Sequence, residues 1–311
     1  MSLSIVMNVQ KHLPYFPVPY PEECLYSVIA RYHARSGNPT LKDSMQDLFC
    51  RSNVSTIASS ITTPYHISLS QANCWELAGT NYTKDRLIRE HTSYQFYVIR
   101  RLRERLPSED SGLIKPSIQR ALIHESGKMR YCPSCAREQR IIYGEPYWQR
   151  LPQLKGAEYC PIHGRPYVNS HIDLQYAKRH AITAAYALNE CDIDVSQSAR
   201  VPSYMNDIYI RTSKDINWLL NNGYKVQGLD RTLQTVADTY SLPDVWGRHI
   251  EEIALGQLPI EYVHKVFPSF IQERYSFNHS VVRSITPHQV AVLMGITAGS
   301  AERFAKLRSV L

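Results

Sequence analysis

Apolar residues recur along this chain mostly at three- and four-residue intervals, the signature of helices with one buried face. Leu25, Val28, Ile29 and Tyr32 set the pattern first, with Pro21 as a helix-opening residue and Gly37-Asn38-Pro39 as the stop. Thr40 is placed to cap a second short helix through Phe49, and a third is expected near residues 70–78. Thr83, with Asp85 close by, opens an expected long helix to about Leu106, whose last turns hold Arg100, Arg101, Arg103 and Arg105. Pro107-Ser108-Glu109-Asp110-Ser111-Gly112 reads as a break. Further helices are expected near 175–190, 205–222, 229–240, 259–273, 287–294 and 299–309. Neither an internal repeat nor an alternating strand–helix series emerges. The pattern predicts a mainly α fold: a helical N-terminal domain over 1–110, a small metal-binding lobe over 111–172 with the little strand there is, and a helical C-terminal domain over 173–311.

Composition narrows the class. Of 311 residues 43% are apolar and 20% charged, which excludes a disordered or collagen-like chain. No apolar run approaches the roughly 18 residues of a membrane span, and Met1–Leu13 lacks the layout of a secretory signal, so a soluble cytoplasmic protein is expected. Seven cysteines in a reducing compartment argue against a disulfide framework. Cys24, Cys50, Cys74 and Cys191 are scattered, the first three in or beside expected helices as small core residues. His91 reads as a packing or hydrogen-bonding residue. The net charge of +7 is uneven: residues 97–155 carry +6 and residues 281–311 carry +3, leaving −2 elsewhere. Two basic regions suit phosphate backbones, an acidic protein surface, or simple solvation.

The strongest chemical signal is Tyr131-Cys132-Pro133-Ser134-Cys135, followed after 24 intervening residues by Cys160-Pro161-Ile162-His163. Two pairs at this spacing, each on a tight turn, bring three thiolates and an imidazole to one ion. They complete a tetrahedral zinc shell with no position left for a reactive water. Such a closed site is structural, so Zn2+ is the expected cofactor and no catalytic residue is assigned. Redox chemistry at Cys132 and Cys135, or four core residues without metal, are the competing readings. Between the halves lie Arg137, Arg140, Arg150 and Lys155 with Tyr143, Tyr147 and Trp148, placed either to meet a nucleic acid or, for Tyr147 and Trp148, to pack as the lobe's core.

Near the end, Pro287 to Phe304 follows helix-turn-helix logic, part of a candidate unit over 287–309. Ala291 is small where helices cross, Gly295 can take the positive φ of the turn, and Val290, Met294, Ile296, Ala301 and Phe304 supply a shared core. The second helix would present Ser300, Arg303 and Lys306 to a major groove, with Arg308 for phosphate. An ordinary helical hairpin is the alternative. The first two helices, around 21–49, carry weaker signs of another such unit.

The cysteine region as a whole, from Arg130 through Tyr143-Gly144-Glu145-Pro146-Tyr147-Trp148-Gln149-Arg150 to Gly164, resembles the TniQ family, most of all its TnsD-type target-site selectors of heteromeric cut-and-paste transposons. Phe16-Pro17-Val18-Pro19-Tyr20-Pro21-Glu22-Glu23, leading to Leu25-Tyr26-Ser27 and Ile29-Ala30-Arg31, is similar to the family's opening helix. Leu87-Ile88-Arg89-Glu90-His91-Thr92 followed by Tyr97 is similar to a second segment. The resemblance covers roughly the first 170 residues. It implies a non-catalytic adaptor that binds double-stranded target DNA and recruits the AAA+ ATPase TnsC, and it places Cys132, Cys135, Cys160 and His163 on the family's zinc ligands. TnsD-type members run longer, so this chain is either a compact member or a truncated one. Other TniQ proteins dock on a CRISPR effector complex, which gives the alternative function: an adaptor working through protein contacts. A hydrolase or nuclease is disfavoured, since the chain has no Gly-x-x-x-x-Gly-Lys loop, no His-Glu-x-x-His and no evident magnesium-binding carboxylate cluster.

Overall fold

Leu25, Val28, Ile29 and Tyr32 are all buried and form one face of the first helix, packing on Met45, Leu48 and Phe49 of the second. The computed structural model describes residues 13, 15–49, 83–98, 126–177, 179–189, 202–223, 226, 228–242, 247–267 and 285–307. The expected helix near 70–78, the break at 107–112, Arg100, Arg101, Arg103, Arg105 and Arg308 lie outside the described residues, as do Cys50, Cys74 and Cys191.

In chain order the elements are α1 (Leu25–Ser36), α2 (Leu41–Phe49), α3 (Lys84–His91), α4 (Tyr94–Val98), β1 (Lys128–Tyr131), α5 (Pro133–Tyr143), β2 (Val168–Asp173), α6 (Leu174–Ala177), α7 (Ala184–Ala187), α8 (Ser203–Asn222), α9 (Gly228–Thr239), α10 (Gly247–Leu255), α11 (Ile260–Val266), α12 (Pro287–Ala298) and α13 (Ala301–Leu307). The described fold is mainly α, with β1 and β2 as an antiparallel pair in the register Arg130↔Asn169 and Tyr131↔Val168.

Several ends follow the sequence signals. Gly37 caps α1 in the left-handed region at φ 75°, where a side chain would be strained. Thr40 and Asp43 bond reciprocally at the start of α2, and Thr83 Oγ1 accepts from the Arg86 amide at the start of α3. Others do not. α1 begins four residues after Pro21, because Glu22 takes a positive φ of 58° and Glu23 pairs with Gln149 in an isolated antiparallel bridge. The long helix expected from Thr83 stops at His91. Thr92 Oγ1 donates to the Ile88 carbonyl, then accepts from the Tyr94 amide at 3.2 Å, so a side chain takes over the backbone's partners and α4 starts afresh.

The helix expected over 175–190 is two short turns, α6 and α7. Between them, Ile182 donates its amide to Tyr26 Oη at 2.9 Å and accepts from Trp148 Nε1 at 2.9 Å, which holds the chain extended. α10 is an unexpected helix: Ile250, Ile253 and Ala254 share a face, but the neighbouring Gly247, Glu251 and Glu252 mask the pattern. α11 ends at Val266, short of the expected 273.

A continuous apolar cluster joins the cysteine region to the C-terminal helices. Phe96, Leu154 and Tyr159 share it with Ile216 and Leu219 of α8, Leu293 and Met294 of α12, and Phe304 of α13, so the core crosses residue 172 without a break. Every residue of α12 from Pro287 to Ile296 is buried. Each large aliphatic side chain there contributes about 1.5–3 kcal/mol from burial. Gly295 is inside this helix rather than in a turn, and its lack of a side chain serves close packing: a Cβ there would stand 2.7 Å from Asp215 Oδ2 on α8. The turn into α13 falls instead at Gly299, with φ 81°. Asp215 Oδ1 accepts from the Ala301 amide at 2.9 Å and thereby caps α13 from another helix.

The N-terminal helices are tied to the rest through residues 148–150. Cys24 donates its amide to the Trp148 carbonyl at 2.8 Å, and the Trp148 amide donates to Ser27 Oγ at 3.2 Å. Arg150 completes the tie. It is 1% exposed; Nη1 donates to the Arg89 and Thr92 carbonyls at 3.0 Å each, and Nη2 donates to Glu22 Oε2 and Asn221 Oδ1 at 2.6 Å each. Four acceptors on three separate elements depend on one guanidinium. Arg150→Met should therefore cost about 3–5 kcal/mol, read as a lower denaturation midpoint, and Arg150→Lys should not restore it because an ammonium lacks the planar fork.

Beside this tie, His91 is buried and donates Nδ1–H to the Glu23 carbonyl at 2.7 Å. Burial, reinforced by nearby arginines, pushes its pKa down to about 4 from 6.5. The unfolded chain therefore takes up the proton first as pH falls. The stabilisation is fully present above about pH 6.5 and is lost towards pH 4, to a limit of about 3 kcal/mol. The difference in urea midpoint between wild type and His91→Gln should shrink over that window; a constant difference would show that His91 does not titrate there.

Candidate metal centre

Cys132 occupies the N-cap position of α5 and Cys135 its first turn, with Pro133 as the opening residue. The first ligand pair is thus mounted on a helix start rather than on a free turn. Cys160 and His163 come from a tight loop in which the Cys160 amide donates to the Arg165 carbonyl and the Gly164 amide to the Cys160 carbonyl, each at 2.8 Å. β1 and β2 flank the two halves. Gln153 seals the sheet edge: its Oε1 accepts from the Arg130 amide at 3.0 Å and its Nε2 donates to the Arg130 carbonyl at 2.8 Å. Tyr159 fastens the second half to α8, stacking on Tyr209 at 5.7 Å and donating its hydroxyl to Asn206 Oδ1 at 2.7 Å.

The four donor atoms lie within 4.8 Å of one another. Cys135 and Cys160 Sγ are 3.6 Å apart, and His163 Nδ1 is 3.6, 3.4 and 3.5 Å from Cys132, Cys135 and Cys160 Sγ. A tetrahedral ion with metal–sulfur bonds of about 2.3 Å and metal–nitrogen bonds of about 2.1 Å needs edges of roughly 3.5–3.8 Å, so the quartet fits one. The same spacing is far from the roughly 2.05 Å of a disulfide. The three cysteines are buried and His163 is half-buried. His163 Nε2 lies 2.9 Å from Glu138 Oε1, which orients the ring with Nδ1 towards the sulfurs.

Packing three sulfurs together also sorts their protons. Hydrogen bonds from Cys132 and Cys135 hold the Cys160 thiol down to about 2, whereas hydrogen bonding to its two neighbours and burial push Cys135 far up. A divalent ion removes the conflict by letting all three ionise.

The basic residues separate into two groups. Arg137, Arg303 and Lys306 are exposed; Lys306 pairs with Glu302 at 2.7 Å. Ser300 Oγ accepts from the Arg303 amide at 3.1 Å, a cap at the start of α13. Arg140 is half-buried and donates to the Leu188 carbonyl. Arg150, expected to meet nucleic acid, is a correction: its guanidinium is enclosed and four protein acceptors use it. Tyr147 and Trp148 are buried core residues. Cys24 is likewise buried, its thiol pushed up to about 12 by desolvation.

Sequence reasoning missed a buried ion pair that shapes the approach to α1. Glu23 takes Arg31 Nε and Nη2 at 3.0 and 2.9 Å and the Tyr20 amide at 2.9 Å, while the Arg31 guanidinium stacks 3.9 Å from the Tyr20 ring centroid. The eight-residue spacing of Glu23 and Arg31 matches no local helical pair, so only the fold shows it.

Residues 14–166 match the TniQ family model, a span that contains all four metal-ligand candidates and the 148–150 tie. The chain is also similar to the Tn7 transposition protein TnsD of Escherichia coli, 30% identical over an alignment of 159 residues that covers 48% of this chain and 30% of that protein. The chain thus aligns with less than a third of its relative's length. Among the described residues no helix is long and apolar enough to cross a membrane.

Metal analysis of the purified protein should return one ion per chain. Cys132→Ala should lose it and lower the lobe's protection from hydrogen exchange at β1 and α5. Full metal content in that variant would show that the quartet is not the site.

Proposed function

We propose that this chain is a non-catalytic target selector of a Tn7-like transposition system, holding double-stranded target DNA and presenting it to an AAA+ regulator of the TnsC type. The observation that carries this reading is the coincidence of the TniQ match over residues 14–166 with the complete Cys132, Cys135, Cys160 and His163 quartet. Similarity to TnsD supports it over the same half of the chain.

The ion we propose is zinc, because three soft thiolates and an imidazole favour it and a closed tetrahedral shell suits its structural role. With four protein ligands the ion has no open position for a water, so its part is to fix α5 against the 160–163 loop. Within the selector, the exposed Arg137, Arg303 and Lys306 form the proposed phosphate-contact set together with Arg100, Arg101, Arg103 and Arg308. Ser300 and the free edge of Arg140 belong at its margin.

The test is fluorescence anisotropy with duplex DNA across a salt series, together with co-purification of a TnsC-type ATPase. Log affinity should fall linearly with log salt, each phosphate contact adding roughly −0.9 to the slope. Arg303→Gln with Lys306→Gln should flatten it, and the Cys132→Ala variant should lose the ATPase. Absence of duplex binding combined with co-purification of a ribonucleoprotein would replace this reading with an adaptor that docks on a CRISPR effector complex.

A further inference from the structure

Three helices meet at the C-terminal end of α12. Asp215 of α8 is buried there, its Oδ1 accepting from the Ala301 amide of α13 at 2.9 Å and its Oδ2 lying in the space that Gly295 of α12 leaves open. With no Cβ at Gly295, α8 and α12 come close, and the carboxylate then fastens the first turn of α13 to both. At this joint α8 and α13 hold one relation to each other.

Cations stand on the outer side of the joint. Arg211 is one turn before Asp215 on α8 and lines, with Asp215, Gly295 and Ile296, a shallow crevice along α12. Lys214 follows three residues later on the same helix, a separation of about 5–6 Å between Cβ atoms. From α13 the Arg303 guanidinium folds back over the turn, its Nη1 3.6 Å from the position a Cβ of Gly299 would take. Arg211 and Arg303 thus reach the same end of α12, beside Gly295 and Gly299, which are about 6 Å apart along its axis. All three side chains are exposed, and among the described residues none of them is in an ion pair. Lys306 differs, being held by Glu302 at 2.7 Å. The exposed Asp207, one turn before Arg211, sets an edge to the cationic surface.

Like charges one helical turn apart cost the folded state a little, and at this spacing, inside a Debye length of about 10 Å, salt screens them only in part. An external anion offsets that repulsion. The three charges are spread over an open surface instead of around a cavity, which suits a chain of phosphates better than a single small ion. We propose that Arg211 and Lys214 of α8 join Arg303 of α13 in one surface that receives the phosphate backbone of duplex DNA. The inference rests on the function proposed above and adds to it the contribution of α8, as backbone contacts that carry no sequence preference.

The test is anisotropy with short duplexes of unrelated sequence over a salt series. Each contact adds roughly −0.9 to the slope of log affinity against log salt, so Arg211→Gln with Lys214→Gln should flatten it by about two, and Arg303→Gln on top of these by about three in all. The loss should be equal for every sequence. Lys42→Gln, which removes an exposed cation from α2 in the N-terminal cluster, should leave the slope unchanged. All four side chains are exposed, so the variants should keep the wild-type urea midpoint. Wild type that binds duplex, with an unchanged slope in the α8 double variant, would overturn the α8 surface and leave the DNA reading standing. A slope lowered as much by Lys42→Gln as by either α8 substitution would overturn it too, as an effect of net charge alone. Loss of the co-purifying ATPase from the α8 variant, with duplex binding intact, would give the surface to an acidic protein partner and end the DNA contact. Absence of duplex binding in wild type would overturn both readings.

Discussion

A charged group completely enclosed by protein holds this molecule's parts in register. The Arg150 guanidinium meets carbonyls that α3 leaves open at its C-terminal end, the Glu22 carboxylate before α1, and an amide near the end of α8. Removing a guanidinium from water is costly, and only several well-placed acceptors offset it. That requirement works in reverse as a positional constraint. Because both terminal nitrogens of the guanidinium find their acceptors on different elements, α1, α3 and α8 are held to one arrangement around it. The backbone beside Arg150 makes the same connection more gently, through the Glu23↔Gln149 bridge and the Cys24 and Trp148 bonds.

The metal quartet and this tie are consecutive parts of one segment. Cys132 and Cys135 start α5, α5 runs to Tyr143, and seven residues later the chain reaches Arg150 before returning to Cys160 and His163. An ion that clamps the two ends of the segment shortens the loop on which Arg150 is carried, lowering the entropy lost when the guanidinium finds its acceptors. Tyr159 then extends the clamp to α8 by stacking on Tyr209. An ion held by the quartet would for this reason act beyond its own lobe. The apolar cluster that contains the cysteines also contains the middle of α12.

The legible parts of the sequence were those decided by neighbours in the chain. The ligand spacing Cys-x-x-Cys with Cys-x-x-His needs only local turns to bring donors together, and all four converge. Gly37, Thr40 and Thr83 act within one helical turn and mark the ends expected of them. What stayed hidden was decided by distant partners. Arg150 reads as a solvated cation because nothing nearby announces Glu22 or Asn221. Gly295 reads as a turn glycine until Asp215, some eighty positions earlier, is seen to occupy the space of its side chain. The 180–182 stretch has helix-forming neighbours, yet Tyr26 and Trp148 hold it extended. In each case a tertiary bond outweighs a propensity worth only tenths of a kcal/mol per residue.

The same distinction bears on where this protein can meet an anion. Formal charge along the chain suggests a basic stretch between residues 97 and 155, but the fold uses Arg150 internally and commits part of Arg140 to the Leu188 carbonyl. Arg31, though cationic, is absorbed by Glu23. Among the described residues, exposed cations sit on separate elements, Arg137 on α5, Lys214 on α8, Lys265 on α11 and Arg303 on α13 among them, while Lys306 pairs with Glu302. They can follow an extended, regularly charged ligand, provided the elements that carry them keep fixed spacing. The buried arginine, the cysteine segment and the enclosed α12 tie the elements that carry those charges together, which is what the proposed binding of such a ligand requires.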